Sequence, residues 1–297
     1  MGNVRNIKRI LASKPTIEGA GVHLKRAFGN GEVPNMDPFL LLDDFHSNRA
    51  EDYIKGFPWH PHRGIETITY VLNGDVEHDD SLGNKGTIQS GDVQWMTAGN
   101  GIVHQEMPKG QQGGLMWGFQ LWANLPASHK MMNPRYRDVK RSQIPEINLG
   151  QGVSVKIICG EINGIPGPVS DIVTEPEYLD VSLDAESSLA HNVKIGHTLI
   201  AYVIQGHGLF DDSGQIITGE HLLLFGDGEE INIKTEASPV RFLLISGKPI
   251  GEPVAWWGPI VMNTQEELKT AFEEYENGTF SKTPITIIPP PYADLVK

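Results

Sequence analysis

Two stretches of this chain repeat one pattern, and that repeat constrains the fold more than any other feature. "YVLNGDVEHDDSLGNKGTIQSGDVQWMTAG" at 70–99 and "YVIQGHGLFDDSGQIITGEHLLLFGDG" at 202–228 each run strand, turn glycine, Asp-Asp turn, strand, glycine-acid turn and strand. The offset of roughly 130 residues is near the size of one domain. Short strands punctuated by turn residues roughly every 6–12 positions belong to antiparallel sandwiches and barrels. The repeat therefore predicts an all-β chain of two tandem β-barrels. The polar stretch "RDVKRSQIPEINLGQG" at 137–152 reads as the connection, which predicts domains at 1–145 and 146–297.

Beyond the second barrel, "NTQEELKTAFEEYENG" places Thr264 and Glu267 in capping-box spacing ahead of Leu268, Ala271, Phe272 and Tyr275, with Gly278 to stop the run. One short amphipathic helix over 264–277 is expected. The final "PITIIPPPYADLVK" carries three successive prolines and predicts an extended tail.

Composition removes several function classes. No run of about 18 apolar residues occurs and the first residues, "MGNVRNIKRILASK", lack a secretory pattern, so a soluble cytoplasmic protein with no membrane partner is expected. A net charge of −13 argues against direct nucleic-acid binding, which needs clustered Lys and Arg. Cys159 is the single cysteine, set in the strand-like "VKIICGE"; it excludes an intrachain disulfide and reads as a buried inert thiol.

The chemistry begins at "WHPHRGIE", 59–66. Side chains alternate faces along a strand, so His60 and His62 point the same way and can reach one ion. The same parity joins His104 and Glu106 in "GIVHQE", and hairpin turns at Asn73-Gly74 and Ser90-Gly91 can fold the pairs together. Three imidazoles and a carboxylate suit a first-row divalent ion. The second repeat lacks this arrangement: His191, His197, His207 and His221 stand apart, which predicts a metal-free barrel.

Around this set, Arg63 reads as an ion-pair partner rather than a substrate clamp, and His78 in "EHDD" as a solvated turn residue. Phe57, Trp59, Trp95, Met96, Phe119 and Trp122 are candidates for an apolar pocket or for core. By alternation Gln94 and Met96 share one face and Trp95 takes the other. Asp43 and Asp44 in "LLDDFH" are candidates to orient the ligand imidazoles.

"HPHRGIETITYVLNGDVEHDD" followed by "GDVQWMTAGNGIVHQEMP" resembles the pirin family of bicupins, which includes bacterial quercetin 2,3-dioxygenases. The resemblance extends through "DPFLLLDDF" (37–45), "GFQLWANLP" (118–126) and "SGKPIGEPVAWWGPIVMNTQEEL" (246–268). It implies two cupin, jelly-roll type barrels and one metal ion in the first, held by His60, His62, His104 and Glu106. Fe(II) is the implied metal, and Zn, Cu, Ni, Mn and Co also fit the ligand list. Many cupins take their carboxylate four residues after the second His, where Glu66 sits. The family pattern favours Glu106 and leaves Glu66 a buried neighbour.

The resemblance implies a dioxygenase that opens the central ring of a flavonol such as quercetin with O₂ and releases CO, with Glu106 taking the flavonol hydroxyl proton. The alternative it implies is an iron-containing, redox-responsive regulator acting on a protein partner. Monomer is the family's default state.

Overall fold

The computed structural model describes residues 3–33, 35–111 and 114–286. Residues 287–297, most of the expected extended tail, lie outside the described residues. The chain divides into two compact β units, and each is completed by a segment from the opposite end of the sequence.

One unit comprises the described residues of 15–30, 39–141 and 250–286. It has two main antiparallel sheets and a two-stranded one, Ala255–Trp257 with Ile260–Met262. The larger runs, in spatial order, Arg135–Val139, Val93–Thr97, Ile65–Asn73, Met116–Asn124, Phe39–Ser47, Val22–Phe28 and Lys14–Glu18. The smaller runs Phe57–His62, Ile102–Lys109, Asp75–Asp80 and Lys85–Ile88. Apolar side chains between the sheets, among them Val22, Leu24, Phe45, Val71, Val76 and Ile88, form one core cluster. Opposed sheets with an apolar interior follow from the alternation of side chains along each strand.

The other unit comprises residues 1–14, 31–38 and 142–249. Its main sheet is built on Thr198–Leu209, Val240–Gly247 and Glu177–Leu183, with Ile7–Ala12 added beside His221–Phe225 at one edge. The two repeats fold alike. In the first, Ile65–Asn73 pairs with Val93–Thr97; in the second, Thr198–Leu209 pairs with His221–Phe225.

The ends of the chain depart from the sequential division at 1–145 and 146–297. Residues 7–12 belong to the second barrel because their backbone completes its sheet edge. The helix belongs with the first. It spans Gln265–Glu276 and is capped as expected: Thr264 Oγ1 accepts from the Glu267 N–H at 3.1 Å, and the Glu267 carboxylate accepts from the Thr264 N–H at 3.0 Å. Leu268 and Ala271 are buried with Val103, Ala255, Ile260 and Phe280. Burying Leu268 alone contributes about 2 kcal/mol. Val103 is the neighbour of His104, so the helix backs the strand that carries a candidate ligand.

Cys159 is buried, and its Sγ lies 3.2 and 3.3 Å from the carbonyl oxygens of Val169 and Pro176, either of which can accept its one proton, in line with an inert core role.

Candidate metal centre

His60 and His62 end the strand Phe57–His62, and His104 lies opposite His60 on the adjacent strand Ile102–Lys109. Parity sends all three rings inward, where their ligating nitrogens lie within 4.8 Å of one another. Among the described residues this is the one group of three or more such side chains placed to hold a metal ion.

The outer nitrogen of each ring is engaged. His60 Nδ1 donates to the Pro58 carbonyl at 2.9 Å and His62 Nδ1 to the Pro259 carbonyl at 3.1 Å. A carbonyl only accepts, so both protons sit on Nδ1 and both Nε2 atoms present lone pairs. Those Nε2 atoms are 3.0 Å apart. Two bare lone pairs at that distance repel unless a cation lies between them. A spacing of 3.0 Å is within the span of two nitrogens that each lie 2.0–2.1 Å from one shared ion. His104 Nε2 is buried with no hydrogen-bond partner among the described residues. Burial pushes His62 and His104 well below the ordinary imidazole pKa, and the nearby His60 adds to both shifts. Burial also lowers His60, opposed by the charge of Glu106. Neutral imidazoles with inward lone pairs are the form that binds a transition metal, so the residues fit the ion.

Glu106 is 3% exposed. Its strand shifts register between His104 and Glu106, and its carboxylate accepts from Thr69 Oγ1 at 3.1 Å and Gln120 Nε2 at 3.3 Å. It lines the same cavity as His60 and His62 but is not one of the three-histidine group.

Glu66 is elsewhere. Gly64 breaks the strand after His62, with φ +78° and its α-carbon so near the Val261 carbonyl that a β-carbon would lie 2.0 Å from that oxygen. Only glycine fits this turn, and the turn resets the parity that would have kept Glu66 in phase with the histidines. Glu66 instead pairs across the sheet with Thr97, whose hydroxyl donates to it at 2.6 Å. Burial raises its pKa, against Thr97, Trp95, Arg135 and Arg137.

His78 is not a solvated turn residue. It is 1% exposed, with Nδ1 3.5 Å from His104 Nδ1, Nε2 3.5 Å from Asp80 Oδ2, and its ring stacked on Tyr136. Asp80 is held by the Leu82 N–H, the Asn84 N–H and the Asn84 amide. Burial pushes the Asp80 carboxyl up, but the hydrogen bonds from His78 and Asn84 outweigh it and leave it below the ordinary value. Asp43 and Asp44 do not fill this orienting role. Asp43 takes a bidentate pair of bonds from Arg26, and Asp44 accepts from the Trp117 indole.

Arg63 is the ion-pair partner expected. It is 2% exposed, meets Glu274 at 2.8 Å, donates to the Asn100 and Phe280 carbonyls, and lies over the Phe280 ring. His191 pairs with Glu177 at 2.8 Å, and His221 lies within hydrogen-bond distance of the Thr218 and Gly219 carbonyls.

His60 and His62 open onto a cavity of about 890 Å³, within the usual range for small-molecule sites. Of the six expected pocket candidates, Phe57, Trp59 and Trp122 line it. Trp95, Met96 and Phe119 are fully buried core. Trp122 packs edge-on against His62, with centroids 5.1 Å apart, and lies 5.9 Å from the Trp256 ring. Trp256, Trp257 and Pro259 were not anticipated as wall residues, although "AWWGP" was the one aromatic pair near the C-terminus.

Comparison with known proteins agrees with this architecture. The pirin family model matches residues 21–123, and the model of the pirin C-terminal cupin domain matches 178–281. Pirin of Homo sapiens is 39% identical over 282 residues, covering 93% of this chain and 94% of the other. A pirin-like protein of Caulobacter vibrioides is 42% identical over 279 residues, covering 93% and 99%. The solved quercetin 2,3-dioxygenase of Acinetobacter baumannii superposes with a TM-score of 0.86 at 31% identity, covering 93% of this chain and 98% of that one. A bacterial pirin of Escherichia coli, solved with nickel(II), shares the fold at a TM-score of 0.62 and 22% identity, covering 81% and 98%. With both barrels matched in order and relatives aligned over more than nine-tenths of its length, the chain belongs to the pirin family.

Proposed function

We propose that the protein is a metal-dependent dioxygenase of the quercetinase type, acting on a flavonol with O₂ at His60, His62, His104 and Glu106. One observation carries the reading: inward imidazole lone pairs and a buried carboxylate share a tryptophan-lined cavity large enough for a three-ring substrate. A closed structural site would need no such cavity.

Fe(II) held there would supply a Lewis-acidic, redox-active centre with room for an enolic oxygen and for O₂. The remaining work belongs to the chain. Trp59, Trp122 and Trp256 offer flat apolar surface for aromatic rings and keep water from the reacting carbon. Thr69 and Gln120 fix the Glu106 carboxylate by donating to it, leaving lone pairs for the ion and for a proton. Glu106 then takes the proton of the flavonol 3-hydroxyl, and the enolate is the form that reacts with O₂. The central ring opens with both atoms of O₂ entering the organic product, the carbon bearing the 3-oxygen leaves as CO, and the proton held by Glu106 returns to the product.

The test is anaerobic iron loading followed by quercetin and O₂, with flavonol absorbance and CO followed together. Saturable, oxygen-dependent loss of quercetin with matching CO is expected. A rate no greater than that of the same concentration of free iron refutes the reading.

A further inference from the structure

The cavity has a second polar end that the metal chemistry does not use. Cross-strand register places Arg26 opposite Asp43, Asp43 opposite Gln120, and Gln120 opposite Thr69. All four line the cavity, so one polar row crosses its floor. At one end Thr69 and Gln120 hold Glu106. At the other, two strand spacings or about 10 Å from Gln120, Arg26 binds Asp43 through two bonds of 2.8 Å and Glu18 at 2.9 Å. The flanking positions two residues along are apolar: Leu41 and Trp122 on one side, Phe45 on the other.

This far end is reachable. The Arg26 and Glu18 side chains are 28% and 42% exposed, while that of Asp43 is 8% exposed. One guanidinium stands between two carboxylates, so the group carries one net negative charge and disfavours an anion. Each carboxylate keeps lone pairs beyond those Arg26 occupies. Burial pushes Asp43 up to about 6 in spite of Arg26, so that carboxylate gains from a further donor. A hydroxyl supplies such a donor without adding charge.

We propose that Glu18, Arg26 and Asp43 form the recognition point for the distal hydroxyl of an elongated, uncharged, polyhydroxylated aromatic whose other end lies at His60, His62 and Glu106. The proposal rests on the flavonol reading of the site and narrows it: ligands are selected by hydroxyls remote from the reacting carbon. The aromatic walls set the plane of the ligand, and the two polar ends set its direction in the slot.

The experiment uses the full chain loaded with Zn(II), under nitrogen, titrated with quercetin and with 3-hydroxyflavone, which has the metal-facing oxygens and no distal hydroxyl. Quenching of tryptophan fluorescence reports binding of both. The expected result is at least tenfold tighter binding of quercetin. Glu18→Gln and Asp43→Asn should each cut that preference severalfold, with 3-hydroxyflavone affinity within twofold of the unsubstituted chain. Glu18→Gln guards against misfolding, since Glu18 is the most exposed of the three. Equal binding of the two compounds by the unsubstituted chain, or a preference that survives in both variants, overturns the inference and leaves the flavonol reading standing. Binding of neither compound overturns both.

Discussion

His78 Nδ1 lies 3.5 Å from His104 Nδ1, and the far nitrogen of His78 faces Asp80 at 3.5 Å. Asp80 has its acceptor capacity directed by three donors from residues 82 and 84, so the proton shared with His78 belongs on His78 Nε2. His78 Nδ1 is then an acceptor, His104 Nδ1 is the donor, and His104 Nε2 is left with its lone pair toward His60 and His62. Both separations are long for hydrogen bonds, and the Tyr136 ring stacked on His78 shares the task of orienting it. His78→Phe should keep the buried volume yet weaken metal binding by about 10- to 100-fold, as loss of an orienting partner does elsewhere. Competition with a chelator of known affinity measures it, and unchanged affinity would show that stacking and packing alone hold His104.

Metal binding should stabilise the fold, because the ligand nitrogens converge only in the folded chain. Free divalent metal at about 100 times its Kd adds about 2.7 kcal/mol, enough to raise Tm by several degrees. His60→Ala with His104→Ala should abolish that rise, and Glu106→Gln should reduce it. Glu66→Gln should preserve it, since Glu66 sits against Thr97 rather than beside the histidines. Thermal unfolding with and without metal separates these cases, and a rise lost in Glu66→Gln but kept in Glu106→Gln would reverse the assignment of the carboxylate.

The histidine trio was legible because a two-residue spacing on a strand fixes which face a side chain takes, whatever the rest of the fold does. Glu66 shows where that logic stops: one positive-φ glycine between His62 and Ile65 breaks the count. His78 was hidden for a different reason. Val76, His78 and Asp80 alternate as buried positions, but two of the three are polar types and look like a solvated turn. Their burial depends on Asp75–Asp80 pairing with Ile102–Lys109, a contact between residues far apart in sequence. The Trp256 wall, and the crossing of each chain end into the other unit, are also long-range outcomes with no local signature. The repeat and the helix cap, being local patterns, appear where the sequence places them.

Arg63 follows the candidate ligands His60 and His62 directly, yet its contacts are structural. Replacing it with Met should leave the Asn100 and Phe280 carbonyls without that donor and free Glu274 from its buried partner. The expected cost is about 2–4 kcal/mol, with Glu274 contributing less than a fully buried carboxylate because Lys282 also pairs with it. Urea unfolding of Arg63→Met gives the stability change. Flavonol affinity of the metal-loaded variant should change less than twofold; a large loss of affinity at unchanged stability would make Arg63 a substrate clamp after all.

Lys130 sets a pH dependence of stability. It is 1% exposed, and its ammonium donates to the Gly64 carbonyl at 2.9 Å, Asn124 Oδ1 at 2.7 Å and the Val261 carbonyl at 3.1 Å. These bonds fasten the turn after His62 to the strand Ile260–Met262, beside the carbonyl that holds His62. Burial pushes the lysine down to about 7, against the pull of Glu252 and Glu267. In the unfolded chain it keeps its proton up to about 10.5. Between those values the unfolded state binds more protons than the folded one, so stability rises with pH across the window, and the full cost of the buried charge is felt below about 7. From pH 7 to 9.5 the protein should gain on the order of 3 kcal/mol relative to Lys130→Met, which has no group to titrate. Urea unfolding of both proteins at the two pH values measures the difference, and a difference that does not change with pH would mean that the three acceptors solvate the ammonium as well as water does.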